Sequence, residues 1–228
     1  MSTETARRSA VPASDPVTRK RIGLVSLIFV ITSVAAVPGG LLWPEPSGGG
    51  ETYTYADIQP LRDRWWGLLV VLSANLVLNV PAQALLTVFL VCHRGAPWAT
   101  IGGLVMWIGT ALYAVGVAGW AATYYFATGV DAATGGAVMD HVADDTPHLL
   151  GTVMAGALMV AVGTVIQVIG LWRSHAVPRW IPVLLLVIVV TFVIPGSGWI
   201  GLITAVPMTA GAVGLAYYAW RRTGTAVE

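Results

Sequence analysis

The feature that most constrains this chain is a set of six long apolar runs without a single Asp, Glu, Lys or Arg. They are Ile22–Trp43, Trp65–Cys92, Ala99–Phe126, His148–Trp172, Trp180–Pro195 and Trp199–Trp220. A helix needs about 20 residues to cross a hydrocarbon core of ~30 Å. Five runs meet that length, and the fifth in order has only 16 residues. Fusing it with the sixth would give one segment of 41 residues, too long for one crossing, and Pro195-Gly196-Ser197-Gly198 is a strong turn signal. The expected fold is therefore all-α, a polytopic bundle of six transmembrane helices. Composition agrees: charged residues are 10 % of the chain, against about 25 % in soluble proteins. A soluble domain could not cover its surface with so few charges. Nucleic-acid binding and secreted disulfide scaffolds are excluded on the same ground, and the one cysteine, Cys92, has no internal partner.

The charges that exist are partitioned. Arg7, Arg8, Arg19, Lys20, Arg21, Arg94, Arg173, Arg179, Arg221 and Arg222 fall on one side of the six-run arrangement. The other side has Arg62 and Arg64 with most of the acids: Glu45, Glu51, Asp57, Asp63, Asp131, Asp140, Asp144 and Asp145. Basic loops stay in the cytoplasm, so both termini are expected there, with the protein in the cytoplasmic membrane. Residues 1–21 read as a disordered basic tail, 22–220 as the transmembrane domain and 221–228 as a second tail. The first run is too long for the apolar segment of a signal peptide and is expected to remain uncleaved.

Eight of the ten tryptophans (Trp43, Trp65, Trp66, Trp98, Trp172, Trp180, Trp199 and Trp220) sit near run ends, as indoles at the headgroup level do. Trp107 and Trp120 lie further inside. Gly102, Gly109 and Gly116 repeat every seven residues in the third run, as do Gly156, Gly163 and Gly170 in the fourth. Such spacing keeps glycines on one helix face, where they let backbones approach closely. The two helices are expected to pack together in a left-handed pair; the alternative partner for these faces is a second copy of the chain or another membrane protein.

Inside the runs the polar groups are uncharged. Asn75, Asn79, Gln83 and Thr87 recur every four residues in the second run, around Pro81, and a four-residue step nearly completes a helical turn. An unpaired amide in hydrocarbon costs on the order of 2–7 kcal/mol, so this stripe faces a partner helix or a polar cavity. Thr152, Thr164 and Gln167 of the fourth run are the expected partners, with Thr191 and Thr204 as alternatives. Interhelical hydrogen bonding and a ligand cavity lined by Asn75, Asn79, Gln83, Thr87 and Gln167 both fit.

Absences narrow the chemistry. Without intramembrane ionisable groups a carboxylate-coupled pump is disfavoured. The one lysine, Lys20, lies in the tail, so no retinal Schiff base forms. His93 and His175 fall on the side opposite to His141 and His148, which disfavours a transmembrane haem. No thiol pair, P-loop or zinc-protease motif occurs, and no cofactor is expected. In the outer loops, His141, Asp144 and His148 are the candidates for a metal. Thr146-Pro147 reads better as the N-cap and first position of a helix. A short interfacial helix is expected from Ala56 to Arg64, and Asp57 and Asp63 are the acids placed to act on a membrane-borne substrate.

From Gly163 to Leu186 the chain reads GTVIQVIGLWRSHAVPRWIPVLLL. This resembles the DUF4386-type family of small bacterial membrane proteins in its Gly-rich span, its Arg-Ser step at Arg173-Ser174, its Pro-Arg step at Pro178-Arg179 and the Leu-rich helix that follows. Pro182 departs from the pattern. The resemblance implies a fold and carries no catalytic residue. The favoured reading is a non-enzymatic, permease-like or accessory membrane protein, with the lipid bilayer around it and a small neutral or amphipathic molecule in the cavity. One alternative is an intramembrane enzyme on a lipid or isoprenoid substrate, of the terpenoid-cyclase kind, with Trp107, Tyr113, Trp120, Tyr124 and Tyr125 lining its site and Asp57 or Asp63 as proton donor. The other is a regulatory or assembly partner acting through the glycine faces.

Overall fold

A computed structural model describes residues 15–44, 53–191 and 198–224. Arg7, Arg8, Glu45, Glu51 and the expected turn from Pro195 to Ser197 lie outside the described residues, as do the side chains of Thr191 and Trp199. All regular elements among the described residues are helical. They are α1 (Pro16–Leu41), α2 (Tyr55–Ile58), a 3-10 turn (Gln59–Leu61), α3 (Arg62–Leu90), α4 (Ala96–Ala127), α5 (Ala132–Asp144), α6 (Thr146–Ser174), α7 (Trp180–Leu185), α8 (Val187–Thr191) and α9 (Gly198–Arg222). Five helices, α1, α3, α4, α6 and α9, are long and apolar enough to cross a membrane.

The expected fifth span takes another form. Residues 180–191 form α7 and α8, broken at Leu186. The Leu186 N–H is shared between the carbonyls of Pro182 and Val183, at 3.2 Å each. That tightening toward three-residue bonding ends α7, and the β-branched Val187-Ile188-Val189-Val190-Thr191 that follows favours helix only weakly. Twelve residues at 1.5 Å per residue reach ~18 Å, short of a ~30 Å core. Among the described residues, α7 and α8 are therefore not counted with the five helices long and apolar enough to cross a membrane.

The basic tail also differs from expectation. The helix starts at Pro16, ahead of Arg19, Lys20 and Arg21, because Asp15 caps it: the Thr18 N–H donates to Asp15 Oδ1 at 2.8 Å, with Pro16 at the first helical position. At the other end α9 continues through Arg222.

Neighbouring helices pack in the order α6, α4, α3, α1, α9, and α7 with α8 close the ring between α9 and α6. Additional contacts from α3 to α6 and α9 make it the inner helix. The α4–α6 pair follows the glycine pattern. A Cβ on Gly102 would fall 2.6 Å from the Gly163 carbonyl, and one on Gly156 would fall 2.4 Å from the Tyr113 nitrogen and 2.6 Å from the Gly109 carbonyl. One on Gly170 would lie 3.1 Å from the Gly95 carbonyl. The seven-residue repeats of two antiparallel helices therefore interlock backbone to backbone, with no room for side chains between them.

The described ends of α1 and α9 meet: the Arg19 guanidinium stands 5.1 Å over the Trp220 ring, and Arg222 bonds the Leu90 carbonyl at the end of α3. The α3–α4 and α6–α7 connections share this basic end. The opposite, acidic end is capped by α2 and α5, which pack on each other. The Tyr55 hydroxyl donates to the Val130 carbonyl at 2.8 Å, and Arg62 donates to the Tyr125 carbonyl at 2.9 Å while lying 3.8 Å over that residue's ring.

Candidate functional site

The polar stripe of α3 divides into two pairs with different surroundings. Four residues of α-helix turn 400°, so an i, i+4 series winds about 40° per step around its helix. From Asn75 to Thr87 that drift is about 120°, enough to change neighbours. The upper pair faces α1 rather than the α6 partner expected for it. Asn75 Nδ2 donates to the Thr32 carbonyl at 2.9 Å. Asn79 Nδ2 donates to Thr32 Oγ1 and Ser33 Oγ, both at 2.9 Å. Thr209 Oγ1 of α9 donates to the Ser33 carbonyl at 3.0 Å. These bonds tie α1, α3 and α9 together, the role of amides as interhelical connectors.

The lower pair, Gln83 and Thr87, is buried in the bundle. On α6, Gln167 is 1 % exposed, and its Nε2 donates to the Ala99 carbonyl at 3.2 Å. The register brings Gln167 beside α3: a Cβ on Gly103 would lie 3.1 Å from Gln167 Nε2 and 3.3 Å from Ala84 Cβ. Ala84 adjoins Gln83 and is one turn from Thr87. Thr87 Oγ1 and Gln167 Oε1 are both fully enclosed, and neither has a hydrogen-bond partner among the described residues. Thr164, expected as a partner, instead returns its hydroxyl to the Val160 carbonyl at 2.8 Å.

On the other side of Ala84 and Gly103 runs a groove of ≈ 200 Å³ between α3 and α4. Its α3 wall is Pro81, Ala84, Leu85 and Val88, and its α4 wall is Thr100, Gly103, Leu104 and Trp107. Each wall follows the i, i+3, i+4, i+7 pattern of one helix face. Leu85, Leu104 and Trp107 are exposed along it.

The aromatics expected to line an enzyme site do not share one. Trp107 lies on the exposed groove between α3 and α4. Tyr125 packs on Arg62 and Trp66. Trp120 and Tyr124 join Trp43, Tyr53 and Trp65 in a packed cluster at the acidic end, where Trp65 and Trp120 centroids are 5.1 Å apart and Trp65 stacks on Tyr124 at 5.8 Å. Trp43 Nε1 donates to the Tyr53 hydroxyl at 2.9 Å. Trp65 is wholly buried, a core residue rather than a belt residue, and Trp43 packs on it half-buried. Trp66, Trp98, Trp172, Trp180 and Trp220 remain exposed near helix ends. The cluster was hidden in the sequence because its rings come from three separated stretches.

Of the outer-loop candidates, Asp57 serves a helix cap. Its Oδ2 accepts from the Thr54 N–H at 2.9 Å and the Thr54 hydroxyl at 2.8 Å, a capping box for α2. Asp63 is exposed in the first turn of α3, where a carboxylate suits the helix N-terminus. His141 and Asp144 end α5, and the chain breaks at Asp145 before α6 begins. His148 pairs instead with Asp145, Nδ1 to Oδ1 at 2.6 Å. No group of three metal-ligating side chains comes together among the described residues. Thr146 begins α6 without capping it, its hydroxyl donating to the Ala143 carbonyl at 2.7 Å. Comparison with protein-family models, with curated proteins and with solved structures finds no match to this chain.

Proposed function

We propose that the chain is a non-catalytic multi-pass protein of the cytoplasmic membrane, permease-like or accessory in role, that holds a small neutral molecule among Gln83, Thr87 and Gln167. Kinship with the DUF4386-type proteins, cytoplasmic termini and a sixth crossing completed by the α7–α8 region belong to the same proposal. One observation carries the ligand reading. Thr87 Oγ1 on α3 and Gln167 Oε1 on α6 are both enclosed and lack a hydrogen bond among the described residues. An unsatisfied buried polar group costs about 1–3 kcal/mol, and no water is at hand within hydrocarbon. A small molecule with one donor and one acceptor satisfies both. Asn75 and Asn79, already bonded to α1, contribute rigidity to the wall instead.

The test is solute-dependent stabilisation of the purified protein and solute entry into proteoliposomes, using glycerol and urea as neutral probes. Thr87→Val with Gln167→Leu should remove the solute-dependent rise in Tm and the entry, while Asn79→Leu should lower Tm without removing the solute response. If the double variant only raises or lowers the basal Tm, the two polar atoms belong to packing and the reading fails.

A further inference from the structure

We infer that the groove between α3 and α4 seats one phospholipid with an anionic headgroup, from the leaflet on the basic side of the membrane. This inference requires only that α3 and α4 lie in the bilayer, and it is independent of the interior ligand proposed above.

The groove runs along the helices from Thr100 and Val88 to Trp107 and Pro81. Thr100 lies four residues after the start of α4, about 6 Å in, and Trp107 lies eleven residues after it, about 16 Å in. Half of a ~30 Å core is about 15 Å. The groove therefore occupies the depth of one leaflet and ends at the bilayer centre against the Trp107 ring. Its floor is small because Ala84 and Gly103 meet there, and its rims are Leu85, Leu104 and Trp107. Hydrocarbon is the medium at this depth, so the occupant of the walls is an acyl chain.

Polar features specify the rest of the molecule. Thr110 and Thr123, the other threonines of α4, return their hydroxyls to the carbonyls four residues back, at 2.8 and 2.9 Å. Thr100 makes no such bond, and it is exposed at the basic end of the groove. Of the α4 residues lining the groove it lies nearest the headgroups, placed to donate to a lipid's ester group. Beneath it the chain turns through His93, Arg94 and Gly95. Gly95 adopts φ +103°, and a Cβ there would lie 2.6 Å from the Gly170 carbonyl, so the turn is held against α6. Arg94 is exposed on this turn, with no ion pair among the described residues. A guanidinium at headgroup level selects phosphate-bearing anionic lipid, and Trp98, 41 % exposed in the first turn of α4, adds an indole suited to that interface.

Native mass spectrometry of the full chain in detergent, titrated with phosphatidylglycerol or phosphatidylcholine of matched chains, tests this. One phosphatidylglycerol adduct should form about fivefold more tightly than phosphatidylcholine, the worth of one basic group near an anionic head. Arg94→Gln should erase that preference, and inorganic phosphate should give no adduct. Val88→Trp, at an exposed wall position, should fill the groove and remove both lipid adducts while helicity and Tm are kept. Equal affinity for the two lipids, an unchanged preference in Arg94→Gln, or an unchanged adduct in a folded Val88→Trp would each overturn the inference.

Discussion

Gly156 and Asn79 show two ways in which single residues hold this bundle. At Gly156 a side chain would run into the Tyr113 backbone nitrogen and the Gly109 carbonyl, neither of which can rotate away. Gly156→Ala should therefore force α4 and α6 apart and destabilise by about 1–3 kcal/mol. Gly151, one turn and a half earlier on α6, has nothing within 4 Å of an added Cβ. Gly151→Ala should leave the melting temperature in detergent unchanged or raise it slightly, since alanine favours helix. Equal effects at the two positions would show that the helices are not in backbone contact. For Asn79→Leu the loss is two hydrogen bonds to α1, each worth roughly 0.6 kcal/mol in such bundles, so a fall of about 1 kcal/mol is expected in a denaturation titration. At this scale the glycine faces were legible because every close approach recurs with the period of the helix. The partner of Asn79 was not legible, because a four-residue spacing names a stripe and leaves open which neighbour each part of it meets.

At the scale of the element, α5 and α7–α8 depart most from what the sequence suggests. The stretch from Asp140 to His148 reads as a solvated acidic loop, yet Asp140 to Asp144 belong to a helix of 13 residues, Ala132–Asp144, with Gly135 and Met139 turned into the bundle. Its start is set by Asp131, whose carboxylate accepts from the Thr134 N–H at 3.0 Å. That backbone hydrogen bond holds the Asp131 carboxyl below its ordinary range. A carboxyl lowered on folding stabilises above its unfolded pKa, and this contribution is lost as pH falls through the folded value. Asp131→Ala should therefore loosen the first turn of α5 at neutral pH, seen as faster amide exchange there than in the native chain. In strong acid, where the native cap is protonated as well, the two proteins should exchange alike. In α7–α8 the apolar run predicts a span by composition, but helix geometry decides its length. The shared Leu186 N–H and the β-branched run after it divide it in two.

For the whole molecule, the charge partition becomes a physical polarity. Arg19 over Trp220 and Arg222 at the end of α3 place the basic groups on one end, and the acids of α2, α3 and α5 cap the other. Cys92, the only cysteine in the chain, is exposed at the basic end. A membrane-impermeant maleimide should label it in inverted vesicles and leave it unlabelled in intact cells. Labelling from outside would reverse the proposed orientation.

By itself the sequence determined that this is a helical membrane protein with a defined polarity, and that its third and fourth apolar runs pack through glycine. Those properties depend on hydropathy, charge and periodicity, which are local quantities summed along the chain. Tertiary structure alone decided that the upper half of the α3 stripe is spent on α1, that Thr87 Oγ1 and Gln167 Oε1 are enclosed without partners, and that five aromatic rings pack into one cluster at the acidic end. Each of those depends on the rotation and register of one helix against another, which packing sets only after the helices have formed.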